Sequence, residues 1–388
     1  MRVYCGIDIG TYHVKVAIAA APQTPDSPMQ LIGTGTAASR GLRHGYIIDQ
    51  NEAQKSIREA RARASASAKV RVRSARVALG GVGLDEIRST GEISLTPSGG
   101  IVTEREMDRA IRESEKRAIS RLTNRTVIHK IPLEYRVDGA RVFGKPNGLQ
   151  GTKLAVDVLL VTMLSQHHDM IIDAVEASGV EVEGVMASPL AASLVTLTKA
   201  QKTAGVVLAN IGAETLSVIV FDEDMPISLK IFPNGSNEIT ESIALSFRIP
   251  LSEAESLKRG GVTGSDIPER KMQTLVSDQL KEMYTLVNAH LKSIGRHRLL
   301  PAGIVITGGG SSLTSASEIA RAILKLPSQI GQIGHLPRAS SVDATWAVAY
   351  GLCRWAYAED VAGARSTFGE VLENWWDSLK QGLRSLLP

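Results

Sequence analysis

The sequence predicts an α/β protein of two similar lobes, with a smaller α+β unit inserted into the first and an amphipathic helix at the C-terminal end. Three observations predict it. A strand runs into a glycine turn at Gly6-Ile7-Asp8-Ile9-Gly10-Thr11, and a second such strand ends in Asn210-Ile211-Gly212-Ala213-Glu214-Thr215. At 388 residues the chain is too long for one ordinary core and suits two lobes or more. Between Gly83 and Thr162 the pattern changes to that of a compact α+β unit flanked by segments that continue the first lobe.

An apolar fraction of 43% with 22% charge predicts that most of the chain folds. The formal charge of +4 is small for this length, so local clustering bears on partners more than the total does. Cys5 and Cys353 do not make a disulfide framework and read as core residues. Met1–Ala21 is a strand–turn–strand pattern containing Asp8, His13 and Lys15, not a secretory leader. No apolar run approaches the roughly 20 residues that span a bilayer, and a cytosolic chain is the expectation.

In order, Val3–Ile9 and Val14–Ala20 are β-rich runs joined at Gly10-Thr11, and Leu31–Ser39 is a third strand. Asp49 is placed to cap a helix over Glu52–Ala66, which leads to a strand over Val70–Leu79. The arginines from Arg58 to Arg76 form the densest basic stretch, with Glu59 the only acid among them. No aromatics interleave it, so a solvated helix face and an edge strand explain it better than nucleic acid. In the inserted unit Ile87–Leu95, Val127–Pro132 and Leu154–Thr162 are strands, and Thr103 caps a helix over Glu104–Leu122. Helix Gln166–Ser178, strand Val180–Val185 and helix Pro189–Thr198 follow.

The second lobe starts near Thr203, where Val206–Ala209 and Ser217–Phe221 repeat the strand–turn–strand pattern before a strand over Pro226–Phe232. Asn237–Phe247, Ser252–Arg259, Leu275–Leu291 and Ser315–Ile323 are helical, and Gly303–Thr307 is a buried strand. Val342–Ala358 closes the globular part. The chain thus divides into a first lobe (1–82 and 163–201) with an insert (83–162), and a second lobe (202–236 and 301–358) with a small subdomain (237–300). A linker (359–367) and a final helix (368–388) complete it.

A nucleoside triphosphate with Mg²⁺ needs backbone amides for its oxygens, a carboxylate near the metal's water shell, and a cation for the β-phosphate. Glycine turns supply amides because no Cβ blocks the phosphate. Asp8 is suited to hold a Mg²⁺ water, Thr11 to bond a phosphate oxygen, and Lys15 to reach the phosphates, with Gly10 and Tyr12 completing the turn. Gly212, Ala213, Glu214 and Thr215 form the second turn. Gly308-Gly309-Gly310-Ser311 follows a strand, where backbone can pack on a nucleoside. Glu255 and Lys258 share a helix face within reach of ribose and base, and Gly235-Ser236-Asn237 is one more glycine-led helix start.

In this order the motifs resemble those of the superfamily of actin, heat-shock chaperones and sugar kinases. Gly6–Lys15 is similar to its first phosphate motif, Val206–Phe221 to its second and Ile304–Leu313 to its adenosine motif, while Val182–Leu194 and Asp343–Gly351 resemble its connecting helices. Within it the chain most resembles the bacterial cell-division FtsA family, through Ser39-Arg40-Gly41 to Ile48-Asp49, Ile131-Pro132-Leu133-Glu134-Tyr135, Phe232-Pro233-Asn234-Gly235 to Leu257-Lys258, and Ala302–Gly310. The resemblance covers nearly the whole chain. It implies an actin-like two-lobed ATPase fold with an inserted SHS2-like domain, ATP and Mg²⁺ as cofactors, and self-association into filaments. It further implies docking of the FtsZ C-terminal peptide on the small subdomain, where Arg270, Lys271, Lys281 and Glu282 are candidates. Late divisome proteins would meet the inserted domain, at the cytoplasmic face of the membrane at the septum.

The second phosphate motif departs from the family's Asp-Ile-Gly-Gly-Gly-Thr. Asn210 carries no charge to hold Mg²⁺ or polarise water, and Glu214 is expected to repel a γ-phosphate. Asp8 and Asn210 are the weak catalytic candidates, and the expectation is nucleotide binding with slow or negligible hydrolysis; a cleft weakened for nucleotide as well is the alternative.

Phe368, Val371, Leu372, Trp375, Trp376, Leu379, Leu383, Leu386 and Leu387 fall on one helical stripe, opposite Glu370, Glu373, Asp377, Lys380, Gln381 and Arg384. The tryptophans favour a membrane interface, and the family ends in such a helix. The stretch is slightly acidic, so insertion is expected to be mainly hydrophobic, with docking on protein as the other reading. Two further functions stand beside the membrane adaptor. One is a PilM-like scaffold of a type IV pilus system. The other is a sugar kinase or phosphatase, which His13, His129, His167 and His168 do not equip with an evident site.

Overall fold

The computed structural model describes residues 2–22, 28–95, 99–261, 268–334 and 343–362. Val3–Ile9 pairs antiparallel with His13–Ala20, and Gln30–Ala38 adds to the far side of that hairpin. On the other side Ser74–Leu79 runs parallel to Val3–Ile9, and Glu181–Ala187 runs parallel to Ser74–Leu79. The second sheet repeats each step. Val206–Ile211, Leu216–Asp222 and Met225–Phe232 form the antiparallel side, and Ile304–Thr307 and Ser328–Ile330 the parallel side. Asp8 faces Lys15 across its hairpin as Asn210 faces Ser217 across the other, with both pairs of equivalents 202 positions apart. The chain is an internal duplication whose two hairpins match in register.

The central strands are buried along most of their length, as apolar runs such as Val16–Ala20 and Val206–Ala209 require when helices cover both faces. Helix Gln50–Ala68 lies on the first sheet, while Ser236–Phe247, Glu269–Ser293 and Ala316–Leu324 build the core on one face of the second. Its other face merges with the first lobe's core through Ser188–Thr196 and Ala347–Ala362. These two helices pack so closely that a Cβ on Gly351 would run into the Ala191 carbonyl, which only glycine avoids. The inserted unit is a four-stranded antiparallel sheet in the order Ala140–Val142, Arg125–Val137, Lys153–Leu164, Leu84–Ser94, with helix Glu104–Arg117 and its own core. No helix among the described residues is long and apolar enough to cross a membrane.

Some boundaries differ from expectation. The strand expected from Val70 begins at Ser74, because Lys69 turns left-handed (φ 54°) at the end of the preceding helix. The helix expected over Glu104–Leu122 stops at Arg117 and finishes as a 3-10 turn, Ile119–Arg121. Thr103 sits at its start, but its hydroxyl bonds the Glu106 carboxylate instead of a backbone amide. The helix expected from Leu275 begins earlier, at Glu269, and the last helix begins at Ala347 after a short turn capped by Asp343. The terminal stripe from Phe368 to Leu387, including Leu372, Trp375, Trp376, Leu379, Leu383 and Leu386, lies outside the described residues.

Candidate functional site

The C-terminal ends of the central strands of both sheets open onto one cleft of about 670 Å³. Asp8, Gly10, Thr11, Tyr12 and Lys15 line it from the first lobe, and Asn210, Gly212, Ala213 and Thr215 from the second. Ser236, Glu255, Lys258, Gly308, Gly309 and Gly310 complete the part anticipated from sequence.

Burial raises the Asp8 carboxyl from its ordinary 3.8 to about 6, against the opposing pull of Lys15. Burial lowers the Lys15 ammonium, which Asp8 and Asp343 oppose. Lys15 Nζ donates to the Thr345 carbonyl at 2.6 Å and lies 5.8 Å from the Trp346 ring centre, which fixes it at the cleft wall. The position equivalent to Lys15 is Ser217 and that equivalent to Thr11 is Ala213. At the positions of Asp8, Thr11 and Lys15 the second turn thus has Asn210, Ala213 and Ser217, none of them charged, and the hydroxyls it brings to the cleft are those of Thr215 and Ser217.

Glu214 corrects an expectation. Its side chain does not line the cleft: Oε2 accepts from the His44 amide at 2.5 Å, and its carbonyl meets His44 Nδ1 at 3.1 Å. The acid is bound to the opposite lobe and is not aimed at a γ-phosphate. Tyr12, its equivalent in the first turn, also reaches across, with the Arg259 guanidinium 4.8 Å over its ring. The third residue of each turn thus bridges the cleft.

Gly308 has φ +82°, a backbone that L side chains rarely adopt, and a Cβ there would collide with Asn210 Oδ1 and the Ile211 carbonyl. A Cβ on Gly309 would meet nothing, so this backbone faces open cleft. Ser311 turns inward, its hydroxyl donating to the Gly308 carbonyl at 2.7 Å, and Ser312 lines the cleft instead. Gly235 and Asn237 also stand back from the lining; the Ser236 and Asn237 amides are taken by the Gly212 and Ala213 carbonyls at 2.9 and 2.8 Å.

Lys258 Nζ meets Glu255 Oε2 at 2.6 Å, Thr240 Oγ1 at 2.7 Å and the Ser236 carbonyl at 2.9 Å. Burial alone would raise the Glu255 carboxyl, but bonds from Lys258, Thr240 and Arg259 outweigh it and hold it below the usual range. This pair shares the face anticipated for it and is preorganised by its neighbours.

Residues not anticipated include Gly80, Gly81 and Ser188 at the ends of the parallel strands, and Arg259, Asp343 and Trp346. Only the Gly80-Gly81 pair, following a strand, left a local signal. His129 is buried, accepts from the Ala187 amide at 3.1 Å and is lowered to about 3 by burial, so it is a core residue. Among the described residues no group of three or more His, Cys, Asp or Glu is placed to hold a metal. The residues present fit Mg²⁺ held through water by Asp8 and by ligand phosphates, the mode that ion favours. Arg270, Lys271, Lys281 and Glu282 are exposed on helix Glu269–Ser293, with Lys281 paired to Asp278 at 2.8 Å and Lys271 5.0 Å over Phe247.

The family model "Cell division protein FtsA" matches residues 207–351, and "SHS2 domain inserted in FTSA" matches residues 81–162. The cell division protein FtsA of Pseudomonas aeruginosa is 28% identical over 351 residues, covering 85% of this chain and 83% of that protein. FtsA of Escherichia coli strain K12 is 28% identical, covering 85% and 84%, and that of Borreliella burgdorferi 26%, covering 84% and 83%. Among solved structures, the PilM–PilN type IV pilus biogenesis complex has a TM-score of 0.68 at 19% identity, over 91% of this chain and 98% of that one. MreB5 of Spiroplasma citri bound to ADP has a TM-score of 0.54 at 13% identity, over 94% and 99%. These likenesses show an actin-like fold.

Proposed function

The chain belongs to the FtsA family of cell division proteins, and from that premise we propose that it is a nucleotide-gated membrane adaptor. In this reading it binds ATP with Mg²⁺ between the lobes, self-associates into filaments, and anchors FtsZ polymers at the cytoplasmic face of the septal membrane. The FtsZ peptide would dock on the small subdomain (237–300), later divisome proteins on the inserted domain (83–162), and the membrane would take the terminal helix (368–388).

The inequality of the two turns carries the reading. Asp8 would hold a water of the metal shell, the amides of Gly10, Thr11 and Ala213 the phosphate oxygens, and Glu255 and Lys258 the ribose and base, the Gly212 amide being taken by the Thr215 carbonyl at 2.8 Å. Bound Mg²⁺ would supply neutralisation of the phosphate charge. Asn210, across the cleft, is an amide that accepts no proton from an attacking water at neutral pH, and Ser217 replaces the cation of the first turn. Such a cleft holds a triphosphate and breaks it slowly, which suits a switch set by occupancy. MreB5 of Spiroplasma citri, which shares the fold, was solved with nucleotide, and that supports the ligand class.

The test is equilibrium binding of ATP–Mg²⁺ beside its turnover in the same preparation. Stoichiometric binding with phosphate release far below one per second supports the proposal. No binding, or turnover at the roughly 1–10³ per second of ordinary enzymes, refutes it.

A further inference from the structure

The basic stretch of the first lobe is unused by the cleft, and its position suggests a use. Gly10, Gly80 and Ser188 put the C-terminal ends of three first-lobe strands at the cleft, so the N-terminal ends near Val3, Ser74 and Glu181 form the opposite base of the lobe. Lys69, Arg71 and Arg73 are exposed at this base, between helix Gln50–Ala68 and strand Ser74–Leu79. None has an acidic partner among the described residues. Arg58 and Arg61 extend the patch along the helix, bonded to Gln54 at 3.3 Å and to the Gly179 carbonyl at 2.9 Å and not to carboxylates. Arg61, Ser65, Lys69 and Arg71 line a shallow hollow of about 380 Å³ there. The neighbouring acids are largely taken: Glu59 pairs with Arg63, Glu183 and Glu359 with Arg76, and Asp360 with Arg2. Glu181 and Glu176 are exposed at the same edge, and against Arg58, Arg61, Lys69, Arg71 and Arg73 they leave it net basic.

The helix Ala347–Ala362 starts at the cleft, where Val348 lines the wall, and ends at this base. Arg76 meets Glu359 at 2.8 Å and Tyr4 Oη donates to Asp360 at 2.7 Å, which tie its last turn beside the basic residues. From Ala362 to Phe368 is six residues, a reach of at most about 20 Å. The described chain therefore ends at the base, six residues before the apolar stripe begins in sequence.

We infer that the base of the first lobe, centred on Lys69, Arg71 and Arg73, is a second membrane contact that selects anionic lipid. This rests on the reading of 368–388 as a membrane anchor. That segment carries three acids and two bases and brings no net attraction to an anionic surface. The folded lobe supplies it, at the point where the anchor would hold it down. No aromatic lies between Arg58 and Arg76 to stack on bases, which favours a lipid surface over nucleic acid.

The test uses the full chain on vesicles of phosphatidylcholine alone and of phosphatidylcholine rich in phosphatidylglycerol. The variant Lys69→Asn, Arg71→Gln, Arg73→Gln keeps a residue that tolerates the left-handed turn, so its melting temperature should match the parent. Each basic residue held at an anionic surface strengthens binding about fivefold, so the parent should prefer anionic vesicles by at least about tenfold and the variant should lose that preference. Binding to neutral vesicles should be the same for both. A variant that keeps the parent's preference overturns the inference, as does a patch that binds duplex DNA but shows no vesicle preference. Trp375→Glu with Trp376→Glu reports separately on the anchor: neutral-vesicle binding that survives this change defeats the anchor reading, whatever the basic patch does.

Discussion

Asp8→Asn should stabilise the empty protein and at the same time remove its response to nucleotide. Burial lifts the Asp8 carboxyl from 3.8 to about 6, so the folded state binds its proton more tightly than the unfolded chain does. At 1.36 kcal/mol per tenfold change in acidity, keeping it ionised costs the fold about 3 kcal/mol, an upper bound because cleft water reaches the carboxylate. The sign follows from the raised value. The penalty is absent below about pH 4, grows between pH 4 and 6, and is constant above that. The amide variant escapes it, so its melting temperature without ligand should exceed the parent's by up to roughly 4 °C at pH 7 and match it near pH 4. With ATP–Mg²⁺ at a hundred times its Kd the parent gains about 2.7 kcal/mol, and the variant should gain little because the metal's water has lost its anchor. Scanning calorimetry across pH, with and without ATP–Mg²⁺, measures both. A variant no more stable than the parent at pH 7 in the absence of ligand, or equally stabilised by nucleotide, refutes the reasoning.

Three further outcomes are expected. Asn210→Asp restores a carboxylate opposite Asp8 and should raise phosphate release about 10- to 1,000-fold in a single-turnover assay; an unchanged rate places the defect elsewhere. Gly308→Ala forces a side chain into the Asn210 amide at a φ of +82°, and should cost more than about 1 kcal/mol in denaturant unfolding and abolish ATP binding; wild-type affinity would contradict the packing described. Glu214→Ala removes the bond to the His44 amide that joins the lobes, and should destabilise by about 1.5–3 kcal/mol and speed nucleotide release; a slower release would show that this residue opposes closure.

Much of the fold was legible because it is local. The glycine turns, the alternating strands and the Asp49 cap are set by residues close in sequence, and the duplication repeats them. Boundaries differ at helix ends, where the backbone conformation of one or two residues decides. Lys69 turns left-handed and delays a strand, and Arg117 ends a helix that the apolar spacing would have carried to Leu122. In the site, Asp8, Lys15 and Gly308 were readable because turn chemistry and strand ends constrain them. Glu214 was misread because its partner, His44, lies 170 positions away in the opposite lobe, and no local pattern reports such a pairing. Arg259 over Tyr12 was invisible for the same reason.

In the proposed function, nucleotide occupancy of the cleft controls a membrane-bound adaptor for FtsZ. The most direct measurement is recovery of FtsZ on vesicles by the full chain, with and without ATP–Mg²⁺. Vesicle-bound chain should recruit FtsZ, and more of it with ATP–Mg²⁺ present. FtsZ recovery that ATP–Mg²⁺ leaves unchanged, or FtsZ that stays in solution while the chain is vesicle-bound and saturated with ATP, would rule this out.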